Sequence, residues 1–177
     1  MIRADTRGPA VRLALVGVIG AVVGALGTYV ALGSPSATVT EEPTRDAVIH
    51  DMGHEVMPFS LDETVHVFEM TSTGGVQEVI ADDPGDQAQI QLIRQHLAHE
   101  ATRFQKGDFR DPGSLHGTDM PGVRELSAGA DRLRVTYDDL PAGGRIVYVA
   151  SEAELVTAVH RWFGAQLSDH GADATYR

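Results

Sequence analysis

The sequence predicts an α+β protein in which an N-terminal transmembrane helix precedes a two-layer sandwich of two β-β-α units. We expect a four-stranded antiparallel sheet with two helices on one face. Three observations predict this architecture: one long apolar run near the N-terminus, strand-type alternation around two Gly-Gly pairs, and helical spacing of apolar residues after each pair. The length left after the apolar run is enough for one domain of ordinary size.

Residues 13–32 form the predicted transmembrane helix. The run has no charged residue, and at about 1.5 Å per residue it spans about 30 Å, the thickness of the hydrocarbon core of a bilayer. Three arginines lie in residues 1–12, and the next basic residue is Arg45. The positive-inside rule therefore predicts a cytoplasmic N-terminal tail, a single-pass anchor in the cell membrane, and a periplasmic or extracellular remainder.

Two further features of this segment bear on its role. A cleaved signal peptide is the alternative to an anchor, although signal peptides have shorter apolar regions of about 7–15 residues and residues 34–37 make an imperfect cleavage site. Gly20 and Gly24 form a GxxxG pair, which lets two helices approach closely. The sequence therefore suggests that two anchor helices can pair through their Gly20/Gly24 faces to form a homodimer.

Residues 33–59 are predicted to be a linker that carries a His/Met cluster. Its first part is rich in Ser, Thr, Pro and Glu, as disordered linkers are, and its second part contains HDMGHEVMP. Thioether and imidazole groups together suit copper. Met52, His54 and Met57 are therefore predicted ligands of an auxiliary metal site. The alternative is a lead-in strand whose methionines pack on the domain.

Residues 60–177 are the predicted extracytoplasmic domain, and its first half reads as strand, turn, strand and helix. Residues 65–70 and 76–81 have strand character on either side of a turn that contains Gly74 and Gly75. Asp86 can cap the helix that follows, in which apolar residues recur at helical spacing as far as Gly107.

The second half repeats this order. Residues 133–137 and 146–150 are predicted strands around Gly143 and Gly144, and a helix follows from Ser151. One hairpin alone is too small to bury its apolar side, so the two halves are expected to pack together. Between them lies a long segment with one short predicted helix, capped at Thr118 or Asp119.

Four polar side chains form the predicted metal site. On helical wheels, His96 and Glu100 lie one turn apart at the edge of the buried face of the first helix, and His160 lies at the matching edge of the second. With His116 from the connecting segment, three imidazoles are expected to converge and to leave an open position, with Glu100 as a support. The alternative is that each histidine is a hydrogen-bonded residue at the rim of the core. His66 is a possible further member.

Two further histidines and two aromatic residues of the second helix are predicted to have structural roles. His99 is expected to face solvent, and His170 to cap the C-terminus of the second helix. Trp162 and Phe163 are predicted core residues.

Composition excludes several classes of function. The chain has no cysteine, so zinc–thiolate sites and thiol nucleophiles are excluded, and its net charge of −11 disfavours nucleic acid as a partner. No P-loop, dinucleotide fingerprint or nucleophile elbow is present. A hydrolase triad of Ser114, His160 and Asp169 is a weak alternative, and we predict no catalytic residues.

Long motifs of the domain carry a resemblance to a known family. They are MPFSLDETVHVFEMTSTGGVQEVIADDPGD, IRQHLAHEA, GDFRDPGSLHGTDMPG and HRWFGAQLSDHGADA. From Met57 to Ala174 the chain resembles small bacterial membrane-anchored proteins that often carry the label aspartate carbamoyltransferase. That transferase has a larger two-domain chain and a Ser-Thr-Arg-Thr phosphate loop, and this sequence has neither. The resemblance therefore implies no transferase activity and assigns no residue a role.

The sequence thus favours a membrane-anchored extracytoplasmic metal-binding protein, with copper as the expected ion. A non-catalytic protein-interaction module of the envelope, whose histidines are incidental, is the alternative, and a metal-dependent enzyme is a third possibility.

Overall fold

The structure is a computed structural model that describes residues 42–177. The predicted transmembrane helix over residues 13–32, its Gly20/Gly24 face and the basic tail lie outside the described residues. Among the residues that are described, no helix is both long and apolar enough to cross a membrane. The described residues belong to one compact unit, Glu41–Arg177.

The domain is α+β, and its element order contains the two predicted β-β-α units. In chain order the helices and strands are α1 (Arg45–Val56), β1 (Thr64–Thr71), β2 (Gly74–Ala81), α2 (Gln87–Phe104), α3 (Arg110–His116), α4 (Val123–Ala128), β3 (Leu133–Leu140), β4 (Gly143–Ala150), α5 (Ala153–His170) and β5 (Ala174–Tyr176). The predicted cap of α2 is present, because the Asp86 carboxylate accepts a hydrogen bond from the backbone N–H of Gln89 at 3.0 Å.

The sheet has five strands and is mixed, so the prediction of a four-stranded antiparallel sheet is wrong. The strand order is β3-β4-β2-β1-β5, and the two hairpins join through the antiparallel pair β2–β4. Strand β5 adds to the free edge of β1 in parallel, through residues 174–176. An unpaired edge offers backbone groups to any nearby extended segment, and three residues are too few to show alternation in the sequence.

The helices pack on the sheet through its glycines. Helix α2 packs mainly against β3 and β4, whereas α5 packs most extensively against β2 and also contacts β1, β4 and β5. A Cβ on Gly75 would overlap the Phe163 ring, and one on Gly144 would lie 3.1 Å from the Leu97 side chain. Gly75 and Gly144 are the second residues of strands β2 and β4 and do not lie in the turns. Their absent side chains let the helices approach the sheet closely.

Helix α1 occupies most of the second half of the predicted linker. It packs against α5 and α3 and buries Ile49 and Gly53. The structure therefore differs from the linker prediction over residues 45–56. Two buried positions among charged and polar residues leave no clear apolar periodicity, which explains why the sequence pattern does not reveal the helix.

The segment between the two units contains two short helices, α3 and α4, where the sequence predicts one. Thr118 and Asp119 lie in the turn between these helices. Between the sheet and the helices lies the core, whose largest fully buried side chains are Trp162, Tyr148, Phe68 and Phe163.

Candidate functional site

A cavity of about 40 Å³ lies inside the domain, between the sheet and the helices. Strands β1 and β2, helices α2, α3 and α5, and the end of α1 all contribute to its walls. Its polar lining consists of His66, Gln77, His96, Glu100, Asp111, His116, Gln166 and His170. One water molecule needs about 10–15 Å³ of such space, so the cavity is large enough for a hydrated ion or a very small ligand.

Several buried polar atoms in this cavity have no hydrogen-bond partner. In residues 42–177 five buried side-chain atoms lack a partner, and four of them belong to residues that line the cavity. These four are His66 Nδ1, Glu100 Oε1, Trp162 Nε1 and Gln166 Oε1. An unsatisfied buried group costs about 1–3 kcal/mol, and native proteins pair most such groups. Their concentration in one cavity makes this cavity the candidate site.

Helix α2 supplies His96 and Glu100, as the wheel predicts. The two residues are one turn apart and both line the cavity, while His99 on the same helix is exposed. Glu100 is buried, and its carboxylate lies 3.5 Å from the Arg103 guanidinium. The first helix of the predicted site is therefore oriented as expected.

Helix α5 supplies a polar stripe on its buried face. Trp162, Gln166 and His170 follow each other at four-residue spacing, so they lie on one side of the helix and all line the cavity. His170 stacks on His66 of β1 with ring centroids 5.0 Å apart. His170 is thus part of the cavity wall, which its predicted role as a helix cap did not include.

His116 of α3 is held in place by a chain of polar contacts. Its Nδ1 lies 3.0 Å from Asp169 Oδ2, and the Arg45 guanidinium binds both oxygens of that carboxylate at 2.6 and 2.7 Å. The hydrogen bonds from Arg45 lower the pKa of Asp169, so the carboxylate is ionised and accepts the Nδ1 proton. The Nε2 atom of His116 then keeps its lone pair free for a ligand.

Burial keeps the four imidazoles and the Glu100 carboxyl of the cavity uncharged near neutral pH. Desolvation lowers the pKa of His96 and of His170 to about 4, and lowers the pKa of His66 and His116 as well. Desolvation raises the pKa of Glu100 to about 8, with help from the nearby Asp111 carboxylate. Four neutral imidazoles and the protonated carboxyl of Glu100 therefore face the space, and the Asp111 carboxylate in the wall is paired with Arg103.

His160 does not join the other predicted ligands. Its Nε2 lies 2.9 Å from both the Thr71 and the Gly74 carbonyl oxygens, at the turn between β1 and β2. It is not among the residues that line the cavity. The structure therefore brings together His96, Glu100 and His116 of the predicted set, while His160 secures a hairpin turn.

The predicted auxiliary ligands separate into different surroundings. Met57 lines the cavity, whereas Met52 is exposed on α1. His54 lies beside His50 and Asp62 outside the cavity. In the part of the chain that the structure describes, these are the only three His or acidic residues whose ligand atoms all lie within 4.8 Å of one another.

Sequence reasoning assigned His66 a minor role and missed Gln77, Trp162 and Gln166 as members of the site. The sequence contains a signal for Trp162 and Gln166. Together with His170 they recur at four-residue spacing, and Gln166 and His170 are polar residues on the otherwise apolar face of the helix. For Gln77, whose Oε1 accepts a hydrogen bond from the Tyr148 hydroxyl at 2.9 Å, no comparable signal exists.

No model of a known protein family, no curated protein and no solved structure matches the chain. The resemblance stated from the motifs therefore stays a prediction.

Proposed function

We propose that this protein is a membrane-anchored, extracytoplasmic binding protein that holds a transition-metal ion, preferably copper, in its buried histidine cavity. The proposed nitrogen donors come from His66, His96, His116 and His170, with Glu100 and Met57 as further donors. Among the described residues that line the cavity, no three histidine or acidic ligand atoms lie within 4.8 Å of one another, so an ion would have to draw its donors closer together. The single observation that carries the proposal is the concentration of partnerless buried polar atoms in a cavity lined by four imidazoles.

The protonation state of the cavity supports a metal ion in preference to an anion. A metal needs neutral imidazoles, and the lowered pKa values of His96 and His170 provide them at neutral pH. Glu100, with its raised pKa, can release a proton when a cation binds and so supply one negative charge. An anion would find neither a cationic imidazole nor a basic side chain among the residues that line the cavity.

Copper fits the donor types best. Imidazole and thioether groups together favour copper over calcium or magnesium, which prefer oxygen ligands. The carboxylate–histidine pair of Asp169 and His116 matches the way proteins orient a metal-binding imidazole. The hydrogen bond leaves His116 Nε2 as the donor atom.

Trp162 provides a local test, because it is the only tryptophan of the chain and it lines the cavity. The full-length protein in detergent is titrated with Cu²⁺ while tryptophan fluorescence is recorded. Copper in the cavity is expected to quench this fluorescence to saturation, and His96→Gln is expected to weaken the apparent affinity by about tenfold or more.

His99→Gln is the matched control, since His99 is an exposed histidine on the same helix. It should titrate like the wild type. If both variants titrate alike, or if copper leaves the fluorescence unchanged, the cavity histidines only pack the core. The protein-interaction module would then be the better proposal.

A further inference from the structure

A second group of potential ligands lies outside the cavity, at the outer side of α1. His50 and His54 are one turn apart on this helix, and their rings meet edge to face with centroids 5.1 Å apart. Asp62 comes from the 3-10 turn Leu61–Glu63, directly before β1. Residues from two separate segments thus converge, with their ligand atoms within 4.8 Å of one another.

Each nitrogen of His50 faces a carboxylate. Nδ1 lies 2.7 Å from Asp173 Oδ2, which is a normal hydrogen bond. Nε2 lies 3.4 Å from Asp62 Oδ1, longer than the usual limit of about 3.2 Å for a hydrogen bond. Two ligands of one tetrahedral ion, each at about 2.0–2.1 Å, lie about 3.4 Å apart. The separation of Nε2 and Oδ1 therefore suits two ligands of a shared cation.

The geometry points to a divalent metal site of zinc type formed by His50, His54 and Asp62, with Asp173 orienting His50. The Asp173 carboxylate accepts the Nδ1 proton of His50 and leaves its Nε2 as the donor, as is usual for a histidine that binds a metal. Two imidazoles and a carboxylate leave the fourth position to water. The site has its own donors, and it does not depend on copper binding in the cavity.

An ion at this site would fasten α1 to the rest of the domain. Helix α1 buries only Ile49 and Gly53 of its own residues, so few apolar contacts hold it. The end of the helix brings Val56 and Met57 to the wall of the cavity. A metal bridge from α1 to the turn before β1 therefore stabilises the segment that covers the cavity.

Hydrogen exchange of α1 tests the site in the full-length protein in detergent. Peptides covering residues 45–56 are followed by mass spectrometry with EDTA and with Zn²⁺. Zinc at 100 times its dissociation constant is expected to slow exchange in α1 by up to about 100-fold, because binding lowers the population of the open state by a factor of one plus the ratio of the free zinc concentration to the dissociation constant.

Asp62→Asn should abolish this zinc-dependent protection. Asp62 has a side chain 74% exposed, so the variant is expected to fold. Glu55→Gln, which alters an exposed carboxylate on α1 itself, should keep the protection. Equal protection in wild type and Asp62→Asn, or no effect of zinc in either, would overturn the site.

The copper site in the cavity and the zinc site on α1 can be tested independently, because each has its own readout. Asp62→Asn should still show copper quenching of Trp162, and His96→Gln should still show zinc protection of α1. Loss of only one readout identifies which site is absent.

Discussion

Glu100 and His96 lie one turn apart on α2, and burial moves their proton affinities in opposite directions. The carboxyl gains affinity and reaches a pKa of about 8, while the imidazole loses it and falls to about 4. Both shifts have desolvation as their largest cause, because a poorly hydrated group avoids its charged form. At neutral pH the two neighbours are therefore both neutral, which suits a cavity that takes up a cation and releases a proton.

The pKa of Glu100 leads to a prediction about stability and pH. Its ordinary value is 4.5, so between pH 4.5 and pH 8 the folded chain holds a proton that the unfolded chain releases. This contribution to the free energy of unfolding is fully present below pH 4.5 and is lost as the pH rises through 8. Glu100→Gln removes the dependence, so the variant should gain stability relative to wild type across this window.

Urea unfolding in EDTA, followed by Trp162 fluorescence, measures the effect. Glu55→Gln, at an exposed position, is the control and should follow the wild type at every pH. A constant difference between Glu100→Gln and wild type would contradict the raised pKa.

At the level of elements, contact between α4 and α5 positions the stripe of α5 residues in the cavity. Gly122 precedes α4 with φ +88°, and a Cβ there would overlap the Ala158 carbonyl oxygen and lie 3.2 Å from the Trp162 backbone nitrogen. Both the positive φ and the close approach require glycine. The position of Trp162 is thus coupled to a single glycine on another element.

Gly122→Ala is expected to lower the free energy of unfolding by about 1–3 kcal/mol, through overpacking and backbone strain. Gly164→Ala is the matched control on α5, since no atom lies within 4 Å of the added Cβ. That change should raise the free energy of unfolding by about 0.5–1 kcal/mol, because alanine is favoured over glycine within a helix. Urea unfolding measures both, and effects of the same sign would contradict the assigned packing.

For the whole molecule, the open prediction is that residues 13–32 anchor the domain outside the cytoplasm. The absence of cysteine makes it testable, since one engineered cysteine is then the only thiol of the chain. Ser151→Cys places it at an exposed position of the domain, and Thr6→Cys places it in the N-terminal tail.

A membrane-impermeant thiol reagent added to intact cells should label Ser151→Cys and spare Thr6→Cys. Both should react after the cells are lysed. The reverse pattern in intact cells would reverse the topology, and the proposal of an envelope metal protein would fail with it.

Local periodicity was sufficient to predict four of the strands and helices α2 and α5. Alternation along a strand and four-residue spacing along a helix act over a few neighbours, so the sequence contains them directly. The same reasoning placed His96 and Glu100 toward the interior, where both now line the cavity. It did not reveal β5 or α1, because neither has enough buried apolar residues to show a period.

His160 marks the limit of that reasoning. A helical wheel gives the direction of a side chain relative to its own helix and does not tell which neighbouring element that direction meets. Trp162 is only two residues from His160 and lines the cavity, but two residues turn an α-helix by about 200°, so the two side chains point to different sides of α5. His160 therefore contacts the turn between β1 and β2.

The amino-acid sequence alone determined the α+β class, the order of the two β-β-α units and the inward direction of individual side chains, because these depend on neighbours in the chain. Only the tertiary structure decided that β2 pairs with β4, that β5 closes the edge of β1, and that His66, His116 and His170 meet around one space. Those contacts join residues about 50 to 110 positions apart, and long-range packing, not local periodicity, selects them.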